Sequence, residues 1–152
     1  MRRAFVSVLA VVLAGVVSAA PASADAVYHS EHVALAPLGD APLRVGFVEN
    51  IHANGPVVFA LERYVLVGAA PSTTYGVELH LWVGDPTCAG TPMAILPTVS
   101  FTTNVVGNGV GKVALPPSAA DGLHGATLGI VWVLSTGETP AYASPCVDVV
   151  LD

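Results

Sequence analysis

An all-β domain, a sandwich or barrel of about 7–8 strands closed by one disulfide, is the fold class this sequence predicts. Three observations predict it. After Ala24 the chain has no helical period of useful length; strand-sized runs alternate with breaks rich in Gly, Pro and Asn. Within several runs apolar and polar residues alternate, as they do on a half-buried strand. Finally, many short runs with Gly- and Pro-rich turns are the mark of two-layer or closed β architectures.

The start of the chain is read separately from the fold. Met1-Arg2-Arg3 is basic, residues 4–20 are almost wholly apolar, Pro21 ends the run, and Ala22-Ser23-Ala24 follows. A basic start, an apolar stretch and an A-x-A site are the three parts of a secretory signal. A membrane-spanning helix needs ~20 apolar residues, and this run is shorter. We therefore expect a cleaved signal peptide at residues 1–24 and a single domain at 25–152, with a secreted or cell-envelope location.

Cleavage after Ala24 leaves 152 − 24 = 128 residues, enough for one ordinary domain. All eleven acidic residues lie at Asp25 or later, while only Arg44, Arg63 and Lys112 remain basic, so the mature charge is 3 − 11 = −8 with His neutral. Nucleic-acid binding requires clustered Lys and Arg to neutralise phosphates. Three scattered cations disfavour that class, and with it attachment to an anionic membrane surface. Charged residues are few and apolar ones many, which is not the composition of a disordered acidic chain.

The strands are expected at 27–35, 43–52, 57–67, 74–83, 98–103, 110–115, 126–134 and 145–151, with breaks at 36–42, 53–56, 68–73, 84–97, 104–109, 116–125 and 135–144. The break at 116–125 has room for one short helical turn. In the fourth run Tyr75, Val77, Leu79, Leu81 and Val83 share the core face, and Glu78, His80 and Trp82 face outward. The last run turns Val147, Val149 and Leu151 inward, with Cys146 and Asp148 opposite. The run 126–134 is apolar on both faces (Leu128, Ile130, Trp132 and Leu134 against Val131 and Val133), as a central strand is. Asn108-Gly109 reads as a hairpin turn, because both residues tolerate positive φ.

Cys88 and Cys146 are the only cysteines. In an exported chain an even count predicts a bridge, here closing a 58-residue separation worth roughly 4 kcal/mol in the chain-entropy view. A reactive or metal-binding thiol pair is disfavoured, since there is no C-x-x-C spacing and no nearby His.

Two resemblances narrow the architecture. Gly68-Ala69-Ala70-Pro71-Ser72-Thr73-Thr74-Tyr75 resembles the G-x-x-P-x-T-x-Y approach to a strand in fibronectin-type and other Greek-key sandwiches, where the Tyr hydroxyl bonds to backbone at a corner. The order of the Pro71 loop and strand, Gly84-Asp85, Cys88, the T-T-N-x-x-G-N-G-V segment at 102–110, the apolar strand at 129–133 and Cys146 before Val147-Asp148-Val149-Val150 resembles the copper/zinc superoxide dismutase sandwich. That fold also bridges a Cys after the metal-binding strand to a Cys before the last strand. The resemblance implies a Greek-key antiparallel β-sandwich, immunoglobulin-like or superoxide-dismutase-like. It does not imply the metal chemistry. The equivalent strand reads Val77-Glu78-Leu79-His80-Leu81-Trp82 with one His, another reads Ile130-Val131-Trp132-Val133 without its ligand His, and the loop between Cys88 and Thr98 has neither His nor Asp.

Candidate sites are therefore few. The outward row Glu78, His80 and Trp82 is a candidate surface binding patch, an aromatic beside polar groups being a common hot-spot type. The plainer expectation is that Trp82 lies beneath the neighbouring loop 84–97. His29, Glu31 and His32 are weak metal candidates: on a strand His29 and Glu31 share a face and His32 points away, so His52 or His80 would have to complete a set of three or four ligands. Trp132 and Tyr142 read as packing. Glu62-Arg63 interrupts an apolar strand and reads as a bulge or a strand end, with an ion pair of functional use as the alternative. There is no G-x-S-x-G and no phosphate-binding glycine loop before a helix, and the remaining catalytic option is a carboxylate pair drawn from Glu49, Glu62 and Glu78. The expectation is a non-catalytic, cofactor-free binding or structural module whose partner is a protein, a glycan or a small apolar ligand. Its rivals are a metal-binding protein on a superoxide-dismutase-like scaffold without redox activity, and a hydrolase with an unrecognised site.

Overall fold

A computed structural model describes residues 29–52, 60–123 and 125–150; the expected signal peptide at 1–24 lies outside them. Ten strands follow in order: β1 (His29–Ala34), β2 (Ala36–Pro37), β3 (Val45–His52), β4 (Ala60–Val67), β5 (Thr74–Val83), β6 (Ala94–Thr102), β7 (Gly109–Leu115), β8 (Thr127–Thr136), β9 (Thr139–Ala143) and β10 (Val147–Val150). They form two antiparallel sheets. The first has the order β1-β3-β4-β7; the second has the order β2-β9-β8-β5-β6, with β10 also paired to β8. The expected short helical turn is a 3-10 turn at Pro117–Ala120.

The alternation read from the sequence is the alternation that buries the core. On β5, Tyr75, Val77, Leu79 and Leu81 are buried between the sheets, while Glu78, His80 and Trp82 stay partly exposed on the other side. On β8, Leu128, Ile130, Trp132 and Leu134 are buried from the opposing direction. β8 is central: β5 pairs along one side of it, and β9 and β10 share the other. Tyr64 and Leu66 from β4, Val48 from β3 and Tyr142 from β9 complete the interior. Each such side chain contributes about 1.5–3 kcal/mol when fully buried.

The disulfide Cys88–Cys146 is present. It ties the loop after β5 to the residue before β10, across the outer side of the second sheet. Gly129 makes this approach possible. A Cβ there would run into the Asp85 carbonyl and the Cys88 sulfur, so only glycine lets the loop rest on β8. Asp85 shapes the loop: its carboxylate accepts from the Thr87 hydroxyl, the Thr87 N–H and the Ala89 N–H. Those bonds hold its pKa below the ordinary value, the Thr87 hydroxyl contributing most.

Several expectations need correction. β6 begins at Ala94, inside the break expected at 84–97; Pro97 hid it, and the strand tolerates Pro97 because β6 is the edge of its sheet. Thr139–Ala143 is a strand inside the break expected at 135–144, reached through a two-residue turn at Gly137 and Glu138. Asn108-Gly109 is not a hairpin, because β6 and β7 belong to different sheets. The segment instead docks on the loop between β4 and β5: Ala69 N–H donates to the Gly107 carbonyl at 2.9 Å, Ser72 N–H to the Asn104 carbonyl at 3.0 Å, and Gly68 N–H to Asn108 Oδ1 at 3.2 Å. The Tyr75 hydroxyl also departs from the corner expected of it. It meets the Tyr142 hydroxyl at 3.3 Å, and Tyr142 is the residue that donates to backbone, at Pro42, 2.7 Å away.

Candidate functional site

The outer side of the second sheet carries the row read from the sequence. Antiparallel pairing sets Glu78 opposite Pro97 and Val133, His80 opposite Ile95 and Val131, and Trp82 opposite Gly129. Residues directly opposite share a face, so an apolar flank borders each polar group. The His80 Nε2 lies 3.3 Å from Glu78 Oε2. The indole N–H of Trp82 donates to the Gly90 carbonyl at 3.3 Å. Trp82 is therefore held against the loop that follows β5, as the plainer expectation had it, and is half-buried rather than free.

At the other end of the row the face opens into a shallow trough of about 320 Å³. Its lining includes Glu78, Thr98, Ser100 and Ser135. The cause is local: the β5–β6 register slips between Val77 and Glu78, so the two strands part beside Pro97 and Thr98 and leave hydroxyls around a depression.

A second polar group lies inside the sandwich, and sequence reasoning mistook it. Glu62 is no bulge and no strand end. It sits mid-strand in an unbroken register, opposite Asn50 on β3 and Val113 on β7, and only 1 % of it is exposed. Two donors converge on its carboxylate, the Tyr64 hydroxyl and the Trp132 indole N–H at 3.1 Å. Burial raises the Glu62 pKa, and the two hydrogen bonds only partly oppose it. The Tyr64 pKa is raised as well, by burial first and then by Glu62. Tyr64 reaches Thr98 Oγ1 at 3.4 Å, so the buried acid connects to the trough through one tyrosine and one threonine. The signal available in the sequence was Glu62-x-Tyr64: residues two apart share a face, and that face also holds Ala60 and Leu66.

The three carboxylates weighed as a catalytic pair are kept apart. Glu49 lies on the outer side of the first sheet, Glu62 between the sheets, and Glu78 on the outer side of the second. The histidines are divided in the same way. His32 faces outward from the first sheet, its ring edge-on to Phe47 at 4.0 Å, whereas His80 faces outward from the second. His29 and His52 are opposite each other in the β1–β3 register. Glu31 is exposed; partial burial and then Asp148 raise its pKa. Among the described residues no three His, Cys, Asp or Glu side chains are grouped as a metal site needs, and no described helix is long and apolar enough to cross a membrane.

Comparison with protein families, curated proteins and solved structures finds no match for this chain.

Proposed function

We propose that this protein is an exported, non-catalytic binding module whose recognition surface is the outer side of the second sheet, and that its ligand is an extended neutral glycan. The observation that carries the reading is the alignment of trough, Glu78–His80 pair and Trp82 along a single strand. Glu78 and Trp82 are four residue steps apart on β5, about 13 Å at ~3.3 Å per residue, a length suited to two or three sugar rings. Hydroxyls and a carboxylate at one end and an indole at the other supply the hydrogen bonds and apolar contact that sugars use. The net charge of the mature domain argues against an anionic polysaccharide. Export is supported by the amino-terminal pattern and agrees with the disulfide. The superoxide-dismutase-like layout stays the scaffold reading, supported by a bridge from the loop after β5 to the residue before β10.

Amide NMR titration with neutral trisaccharides tests the ligand class. We expect shifts confined to residues 76–82 and 98–100, and Trp82→Ala and Glu78→Gln each weakening binding about tenfold, as hot-spot truncations do. Shifts elsewhere, or none with any glycan while a peptide or an apolar molecule binds, would overturn it. Export is checked separately by mass spectrometry of the secreted product, which should begin at Asp25; a chain starting at Met1 would refute cleavage.

A further inference from the structure

The outer side of the first sheet has a different composition from that of the second. Its cross-strand rungs are Val45–Val67, then Ala34–Phe47–Val65–Val110, then His32–Glu49–Arg63–Lys112, then Ser30–Ile51–Leu61–Ala114. Two of the four rungs are wholly apolar, and a third is apolar but for Ser30 on the edge strand. Val45, Leu61 and Val110 are 48 %, 40 % and 49 % exposed. A solvated sheet face ordinarily alternates to polar residues, and a contiguous apolar face of this kind marks an interaction surface. Among the described residues no strand or helix is stacked over it.

We propose that this face binds a second copy of the chain, around a two-fold axis running parallel to the strands between β3 and β4. The charged rung selects this partner and this axis. Across the sheet the rung reads His32, Glu49, Arg63, Lys112, and Glu49 already lies 3.4 Å from Arg63 within one chain. A two-fold axis along the strands reverses the left-to-right order of the facing sheet. It therefore sets Glu49 against the partner's Arg63 and Arg63 against the partner's Glu49, closing a ring of four alternating charges. The same axis stacks Phe47 on the partner's Val65 and Val65 on the partner's Phe47. An axis across the strands would instead set like charges together. His32 meets the partner's Lys112 at the rim, where solvent screens the pair. Four strands at ~4.8 Å spacing and about eight residues long offer roughly 500 Å² per copy, or about 1,000 Å² in all. That is the lower end of specific interfaces, so the dimer forms at micromolar concentration.

Sedimentation equilibrium of the purified protein tests this. The expected result is a reversible monomer–dimer equilibrium. Arg63→Glu and Glu49→Arg each weaken association at least tenfold, and the double variant E49R/R63E recovers most of it, because each position 49 again faces an opposite charge at the partner's position 63. Circular dichroism checks that each variant is folded. Val110→Lys, at an exposed position, weakens association as well and keeps the test open should a charge variant fail to fold. Trp82→Ala, on the opposite side of the sandwich, leaves association unchanged, which separates this test from that of the binding surface. A protein that is monomeric at every concentration, a double variant no better than the singles, or association unaffected by Val110→Lys would overturn the proposal.

Discussion

Glu62 shows how one side chain can control the pH response of this fold. Its carboxyl is buried beside Trp132 and Tyr64, and its folded-state pKa is raised above the ordinary 4.5. Between the unfolded and the folded values the native state holds more protons than the unfolded one. Stability from this group is therefore complete at acid pH and is lost as pH rises through the folded value, at up to about 1.4 kcal/mol per pH unit. Glu62→Gln should abolish that slope, which urea denaturation over a pH series measures. Asp85 works in the opposite sense: its pKa is lowered, so its contribution is present above the ordinary value and fades on acidification. Removing one donor is also instructive. Trp132→Phe leaves Glu62 with the tyrosine alone and should cost about 1–3 kcal/mol, read as a lower denaturation midpoint.

At the scale of elements, the docking of the β6–β7 loop on the β4–β5 loop joins the two sheets at one end of the sandwich. Gly107 is the tightest point, with φ +79° and the Ala69 carbonyl where a Cβ would stand. Gly107→Ala therefore combines left-handed strain with a backbone clash, and we expect a loss of at least about 2 kcal/mol. Gly84 also has positive φ (+76°) but open space beside it, so Gly84→Ala should cost about 1 kcal/mol, the strain alone. Thermal melts of both variants check the difference. The elements most legible in the sequence were those with uninterrupted alternation. β5 runs from Thr74 to Val83 as expected, because five inward apolar residues alternate with its polar ones. The start of β6 and all of β9 were missed where Pro97 and Pro140 stand; β6 is an edge strand and Pro140 lies beyond the β2–β9 pairing at Tyr142 and Ala143, so both prolines are accepted, whereas a reading of punctuation takes them for breaks.

For the whole molecule, the bridge between Cys88 and Cys146 closes a 58-residue separation. Replacing both cysteines with Ser should lower stability by roughly 4 kcal/mol while far-ultraviolet circular dichroism stays unchanged, since both sheets are assembled from other contacts. Denaturant titration of the variant beside the oxidised protein measures the difference. The same scale explains why chemistry was hard to read from the chain. Glu49, Glu62 and Glu78, or His32 and His80, look interchangeable in a list of residues. Two stacked sheets sort them onto two outer surfaces and one interior, and groups on opposite surfaces cannot act together.

By itself the sequence determined the β class, the face of each alternating strand and the cysteine pair. These are local or compositional properties: a period of two and a count. The tertiary structure alone decided that Glu62 is an interior acid bound by Tyr64 and Trp132, that Asn108-Gly109 links two sheets, and that the first sheet's outer side is apolar but for one charged rung and Ser30. Each of these depends on which strands become neighbours. Strand partners are chosen by packing between distant segments, and no short window of sequence records that choice.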